Sequence, residues 1–183
     1  MRDLSLHVLD IVQNSVKAQA KLVEVGFVID DRDWLVFSVR DDGCGMTPEF
    51  LARVQDPFTT TRTTRKVGLG IPLLKENAEA TGGRIDIRSQ VGVGTLLTAT
   101  FNLTHIDCPP MGAMCDTLLT LVLCNPEQPE FVFTASKGSL EASLDTRAVR
   151  QAVGGAPLNQ PEIAAWMQES INEEFKPILE VLP

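Results

Sequence analysis

Tyrosine is absent from the 183 residues, and aromatic side chains make up only 5% of them. Proteins that hold single-stranded nucleic acid stack its bases on aromatic platforms, so the composition speaks against that class. Basic residues are also scarce: 16 Lys and Arg face 24 Asp and Glu, leaving a net charge of −8. That is the wrong sign for a protein that neutralises a phosphate backbone. No apolar run reaches the roughly 18 residues of a membrane span. The start, from Met1 to His7, has polar residues where a signal peptide would carry its apolar stretch. The four cysteines, Cys44, Cys108, Cys115 and Cys124, form no C-x-x-C pair and read as free thiols. What remains is ample for a core, at 44% hydrophobic and 22% charged. These features predict a soluble cytoplasmic protein with no nucleic-acid or membrane partner.

Charge divides the chain. Residues 1–104 carry 13 acids and 12 bases, whereas residues 105–183 carry 11 acids and 4 bases. The change coincides with Pro109-Pro110, a pair that resists both helix and central strand. A boundary is therefore expected there, with 1–104 as one domain and 105–183 as a small acidic α+β unit. In the first part, Leu4, Val8, Ile11, Val12 and Val16 recur at helical spacing, predicting a helix over 3–18. Strands are expected over 22–29 and 34–40, joined by an acidic turn into a hairpin, and again over 83–89 and 95–103. A helix over 71–81 lies between the two pairs and stops at Gly82-Gly83. In the second part a helix is expected to begin at Pro110, followed by a hairpin over 130–144. Asp145 is placed to cap a short helix, and Asn159 with Glu162 resembles a capping box that opens a last helix. Trp166 and Met167 on that helix read as core.

Three clusters bear chemistry. Asp10, Asn14 and Lys17 project from one helical stripe, which is either a solvated face or a carboxylate base, a metal-binding amide and a phosphate cation. Asp41-Asp42-Gly43-Cys44-Gly45 follows a strand, and its glycines permit either a tight turn or a close approach to a ligand. From Asp56 to Gly70, hydroxyls, three cations and glycines precede a helix. Alone this is a polar loop, but a glycine-rich loop feeding a helix N-terminus is also a phosphate site. It is neither a Walker A loop nor a dinucleotide-binding G-x-G-x-x-G.

Taken in order, these pieces resemble the ATP-binding fold of gyrase, heat-shock chaperones, histidine kinases and MutL proteins. Leu9 to Ala18 resembles the asparagine-bearing box, and Asp41 to Gly45 the adenine-binding glycine box. Asp56-Pro57-Phe58 with the threonines after it is similar to the phenylalanine box and lid of kinase-type members. Gly68-Leu69-Gly70 and Gly92-Val93-Gly94-Thr95 resemble the two remaining boxes. The resemblance implies a Bergerat-type α/β sandwich, an α+β fold with a mixed sheet covered by helices on one face. It implies that Asn14 ligates Mg²⁺ on the phosphates of ATP, that Asp41 meets the adenine amine, and that Gly43 and Gly45 shape the adenine pocket. Gly68 and Gly70 would offer N–H groups to phosphates, Lys17 and Arg62 are the phosphate cations, and Thr95 helps hold adenine. Asp10 takes the place of the catalytic base, one methylene shorter than the usual Glu. Lys66 or Val67 replaces a customary glycine, and Pro72 stands where a small residue is common.

The asparagine box begins almost at the start of the sequence, and His7 is followed by Val8 rather than an acid, unlike a phosphoacceptor histidine. Any phosphoacceptor is therefore expected in another protein. The whole layout, with Leu144 to Arg147 and Pro157 to Asn159, resembles stand-alone ATP-binding proteins of anaerobes. Two functions compete, with a simple ATPase as a weaker third. One is a phosphotransferase of histidine-kinase or anti-sigma type, and the other an ATP-gated interaction module with slow or no hydrolysis.

Overall fold

The structure, a computed structural model, describes residues 3–54 and 70–180. Asp3 starts the first helix, α1 (Leu4–Lys17), because its extended backbone lets the carboxylate accept the Leu6 N–H at 2.9 Å. The Leu4 and Ser5 N–H groups donate to the carbonyls of Pro110 and Met111 at 2.9 and 3.0 Å. That contact explains why the helix expected at Pro110 begins later, as α4 (Met114–Cys124). The irregular segment before it lies against α1 and satisfies donors that a helix start leaves open.

Strands β1 (Leu22–Ile29) and β2 (Trp34–Asp41) form the expected hairpin, running from Val23 opposite Asp41 to Ile29 opposite Leu35. In the turn, Asp30 accepts the N–H groups of Arg32 and Trp34, both at 2.9 Å. This local capture makes aspartate a turn residue. Helix α2 (Pro48–Arg53) is capped by Thr47, whose hydroxyl accepts from Phe50 N at 3.2 Å. Helix α3 (Gly70–Ala80), β3 (Arg84–Gln90) and β4 (Gly94–Asn102) fall within one or two residues of expectation. Pro72 is tolerated because it lies in the first turn of α3, where N–H groups have no helical acceptor.

After α4 come β5 (Glu130–Lys137), β6 (Leu140–Asp145), α5 (Thr146–Ala152), α6 (Pro161–Glu174) and α7 (Lys176–Leu179). Asp145 caps α5 as expected, accepting from Arg147 N at 2.9 Å. The capping box at Asn159 and Glu162 does not form. Gln160 is the cap, without a side-chain bond, and Pro161 sets the first helical φ instead.

All six strands form one mixed sheet in the order β3-β4-β2-β1-β5-β6. β1 and β5 run parallel, Leu22 opposite Glu130 through to Ile29 opposite Lys137, and the other neighbours are antiparallel. Alternation sends Val25, Phe27, Phe37, Ala99, Phe101 and Phe133 to one buried face, which the helices cover. This is the expected α+β sandwich. The division at 104/105 is a boundary of charge and not of packing, since residues from both sides share the sheet and one core. Its physical basis is that charge patterns the surface, whereas apolar alternation sets which strands join.

Trp166 also departs from expectation. It is 52% exposed, while Met167, turned 100° around the helix, is fully buried. All four thiols are free, with Cys115 buried and Cys44 and Cys124 exposed. Burial, then the neighbouring Glu180 carboxylate, push the Cys115 thiol up to about 12. Among the described residues no helix is long and apolar enough to cross a membrane.

Candidate functional site

Four segments meet where β2 ends. Asp41 stands opposite Thr95 in the ladder, and its carboxylate gathers three donors. Oδ1 accepts from Gly43 N at 3.0 Å and Thr95 N at 3.3 Å, and Oδ2 accepts from the buried Ser15 hydroxyl at 2.5 Å. One side chain thus joins α1, β4 and the glycine turn, and its orientation is fixed from all three. Asp42 is structural: its Oδ1 accepts from Lys21 N and Leu22 N at 2.7 and 2.9 Å, tying the turn to β1.

The glycines of this turn are required by their neighbours. A Cβ on Gly43 would lie 2.9 Å from both the Cβ and the carbonyl oxygen of Ala18. Gly45 has φ 69°, and a Cβ there would overlap the Gln90 carbonyl. Cys44 N donates to Ala18 O, and Gly92 N donates to Cys44 O, each at 2.9 Å, so the turn is threaded between α1 and the β3–β4 turn. Ser89 closes the ring. Its hydroxyl accepts from Met46 N at 2.8 Å, lies 2.8 Å from the Thr95 hydroxyl and 3.1 Å from Gly94 O.

On α1, Asp10 and Asn14 are half-buried and Lys17 is exposed. Gly70, the first residue of α3, packs directly on Asp10, since a Cβ there would overlap the carboxylate. A second tie lies one turn earlier, where the wholly buried His7 holds its Nε2 at 2.7 Å from Asn77 Nδ2 of α3. Among the described residues its Nδ1 has no partner, and burial is the main force lowering its pKa to about 4, so the ring is neutral.

The structure brings Asp41, Gly43, Gly45 and Thr95 together at the turn beyond α1 and sets Asp10 against Gly70, with Asn14 and Lys17 carried on α1 itself. Arg62, Gly68 and the lid expected over Thr59 to Val67 lie outside the described residues. Sequence reasoning missed Ser15, Ser89 and Asn77. Ser15 alone carried a signal, as the neighbour of Asn14 turned toward the sheet. A cleft of about 680 Å³ beside the start of α1 is lined by Leu103, His105, Cys108, Gly112 and Glu180, among others. Among the described residues no group of three or more His, Cys, Asp or Glu could hold a metal ion.

Comparison with known proteins bears on the same residues. A family model described as "Histidine kinase-, DNA gyrase B-, and HSP90-like ATPase" matches residues 2–105. The chain is 39% identical over 108 residues to the sensor protein kinase FleS of Pseudomonas aeruginosa, a match spanning 58% of this chain and 26% of that one. It is 37% identical over 70 residues to sporulation kinase E of Bacillus subtilis, spanning 38% and 9%. The chain thus corresponds to a minor part of these relatives. Among solved structures, the Aquifex aeolicus MutL ATPase domain complexed with ADP superposes with a TM-score of 0.54 at 17% identity, over 84% of this chain and 70% of that one. The N-terminal domain of a DNA repair protein gives 0.57 at 13% identity, over 79% and 52%. At such identities the structures establish the fold.

Proposed function

Because this chain belongs to the histidine kinase-, DNA gyrase B- and HSP90-like ATPase family, we propose that it binds Mg-ATP and passes the γ-phosphoryl group to a separate protein. In this reading it is a cytoplasmic signalling phosphotransferase, histidine-kinase-like or anti-sigma-like. The observation that carries the reading is the packing of Asp10 on Gly70. It sets a carboxylate at the start of α3, where N–H groups and the helix dipole favour phosphate. Two anions in one place repel unless a cation lies between them, and the Asn14 side-chain oxygen, one turn along α1, suits a hard ion such as Mg²⁺. When bound, that ion supplies neutralisation of charge on the phosphates.

Asp41, held by Ser15, Gly43 and Thr95, is the acceptor for the adenine amine. Gly43 and Gly45 keep the wall of the adenine pocket free of side chains, and Gly70, with Gly68, presents N–H groups to the phosphates. Lys17 and Arg62 add positive charge there. In the transfer step the acceptor's nitrogen or oxygen bonds to the γ-phosphorus as the bond to the bridging oxygen of ADP breaks, and Asp10 takes the acceptor's proton. The match to proteins named as sensor and sporulation kinases supports transfer over simple hydrolysis.

An ATP-gated interaction module is the second reading, and Asp10 favours it by being one methylene shorter than the usual Glu. Incubation with γ-labelled ATP and the proteins encoded beside this one separates the two. Label on a protein supports transfer. Nucleotide-dependent complexes that stay unlabelled support gating, and release of free phosphate alone counts against both. Asn14→Ala is expected to remove the Mg²⁺-dependent part of the thermal stabilisation by ATP, and Asp41→Ala to remove binding. Full calorimetric affinity in both variants would show the site to be elsewhere.

A further inference from the structure

We propose that the outer face of α6 is a docking surface for a basic, Arg- or Lys-bearing segment of a partner protein. Glu162, Trp166, Glu169 and Glu173 follow one another at spacings of four, three and four. At about 100° per residue they share one stripe, and Met167 and Ile171 face the core from the other side. Trp166, at the centre of the stripe, is 52% exposed. Its indole presents an open aromatic face flanked on both sides by carboxylates, the arrangement that receives a cation.

Among the described residues, the ion pairs of the acidic half lie off the stripe. α6 contains no Lys or Arg. Each of the four bases beyond residue 105 is taken by another acid: Lys137 by Asp33 at 2.9 Å, Arg147 by Asp145 at 2.8 Å, Arg150 by Glu130 at 2.7 Å, and Lys176 by Glu180 at 4.0 Å. Glu169 and Glu173, one turn apart, repel each other. A guanidinium or ammonium relieves both features at once, resting on the indole face and pairing with the flanking carboxylates. The same charge repels nucleic acid and anionic lipid. It also argues against a second copy, because a two-fold interface would set glutamates against glutamates. The surface does not depend on the nucleotide reading, since α6 packs on α4, α7 and β6, away from the turns that hold Asp41.

The test uses the full chain and a fluorescent helical peptide with arginines four apart among alanine and leucine, beside the same peptide with glutamine for arginine. Binding of the arginine peptide alone is expected at physiological salt. Trp166→Ala and the pair Glu169→Gln with Glu173→Gln should each weaken it roughly tenfold. Trp166→Phe should retain part of it. The pair Glu127→Gln with Glu141→Gln removes equal charge from exposed positions elsewhere and should leave it within about twofold of wild type. All these side chains are exposed, so the fold should survive, and circular dichroism checks that it does. In a Trp34→Phe background, the peptide should also shield Trp166 from acrylamide. Equal loss in both glutamine pairs, unchanged binding by Trp166→Ala, or self-association that depends on Trp166 would overturn the proposal.

Discussion

The two ends of the sheet use polar residues to different effect. At the β2–β4 end, Asp41, Ser15, Ser89 and Thr95 bond to one another and to the backbone from four segments. At the β5–β6 end, Glu130 accepts from Arg150 and from the buried Thr146 hydroxyl, which itself takes the Phe131 N–H, while Arg147 pairs with Asp145 at the surface. The second region carries far more net charge, yet the first holds the candidate site. What sets the first end apart is not charge but glycine: its polar groups gather around Gly43 and Gly45, whose places no side chain could take, whereas those of the second tie β5 to α5. Beneath this contrast the two regions share a single core.

The sharpest way to break the comparison is to empty the shared core from the acidic side. Phe133→Ala is expected to cost about 3–5 kcal/mol, the usual loss for a buried Phe, and to melt both regions in one transition. A calorimetric trace in which ATP still stabilises a separate first transition would show the halves to be independent. Next in size is the group that the first region sets against α3. Asp10→Asn should keep nucleotide affinity within a few-fold while label transfer falls roughly a hundredfold, as loss of a positioned base does. Transfer at the wild-type rate would reassign the base.

Among the described residues His7 is the one wholly buried ionisable group at the β2–β4 end, and its titration gives a third effect. Its pKa is near 6.5 unfolded and lowered to about 4 in the fold. The unfolded chain therefore binds more protons between these values, so stability is whole above about 6.5 and drains as pH falls toward 4. A loss of roughly 2 kcal/mol by pH 5 is expected from this group. His7→Gln can still bond Asn77 but cannot take a charge, and its denaturation midpoint should vary less across that window. The smallest effect should follow Ser15→Ala. Losing one hydrogen bond to the Asp41 carboxylate is expected to cost about 1.5 kcal/mol, the low end for a bond to a charged group, and to weaken ATP binding a few-fold.

Much of this layout was readable before any coordinates. The first helix showed through its apolar period, the hairpin through Asp30, and the site through motifs whose order matched a known fold. What escaped notice lacked a local signature. Helix α2 buries no side chain, so it has no apolar stripe, and Thr47-Pro48 was its single cue. Ser15 and Ser89 act through partners that only the folded sheet brings near. The charge boundary misled because a parallel strand pairing leaves no trace in nearby sequence. Trp166 misled because an exposed indole reads as core by residue type alone.

The pairing of β1 with β5 bears on how the protein comes to be folded. Residues 22–29 lie inside the sheet, yet their second neighbour is residues 130–137. A ribosome has made every residue of the Asp41 ring long before it makes that neighbour. Until then β1 shows an open edge and an uncovered row of Val and Phe, the kind of surface through which nascent chains associate. Closing so distant a contact slows folding. The Asp41 ring is thus translated early but gains its full sheet late, and if it holds nucleotide as proposed, ATP should act as a folding aid only after residue 137 has emerged.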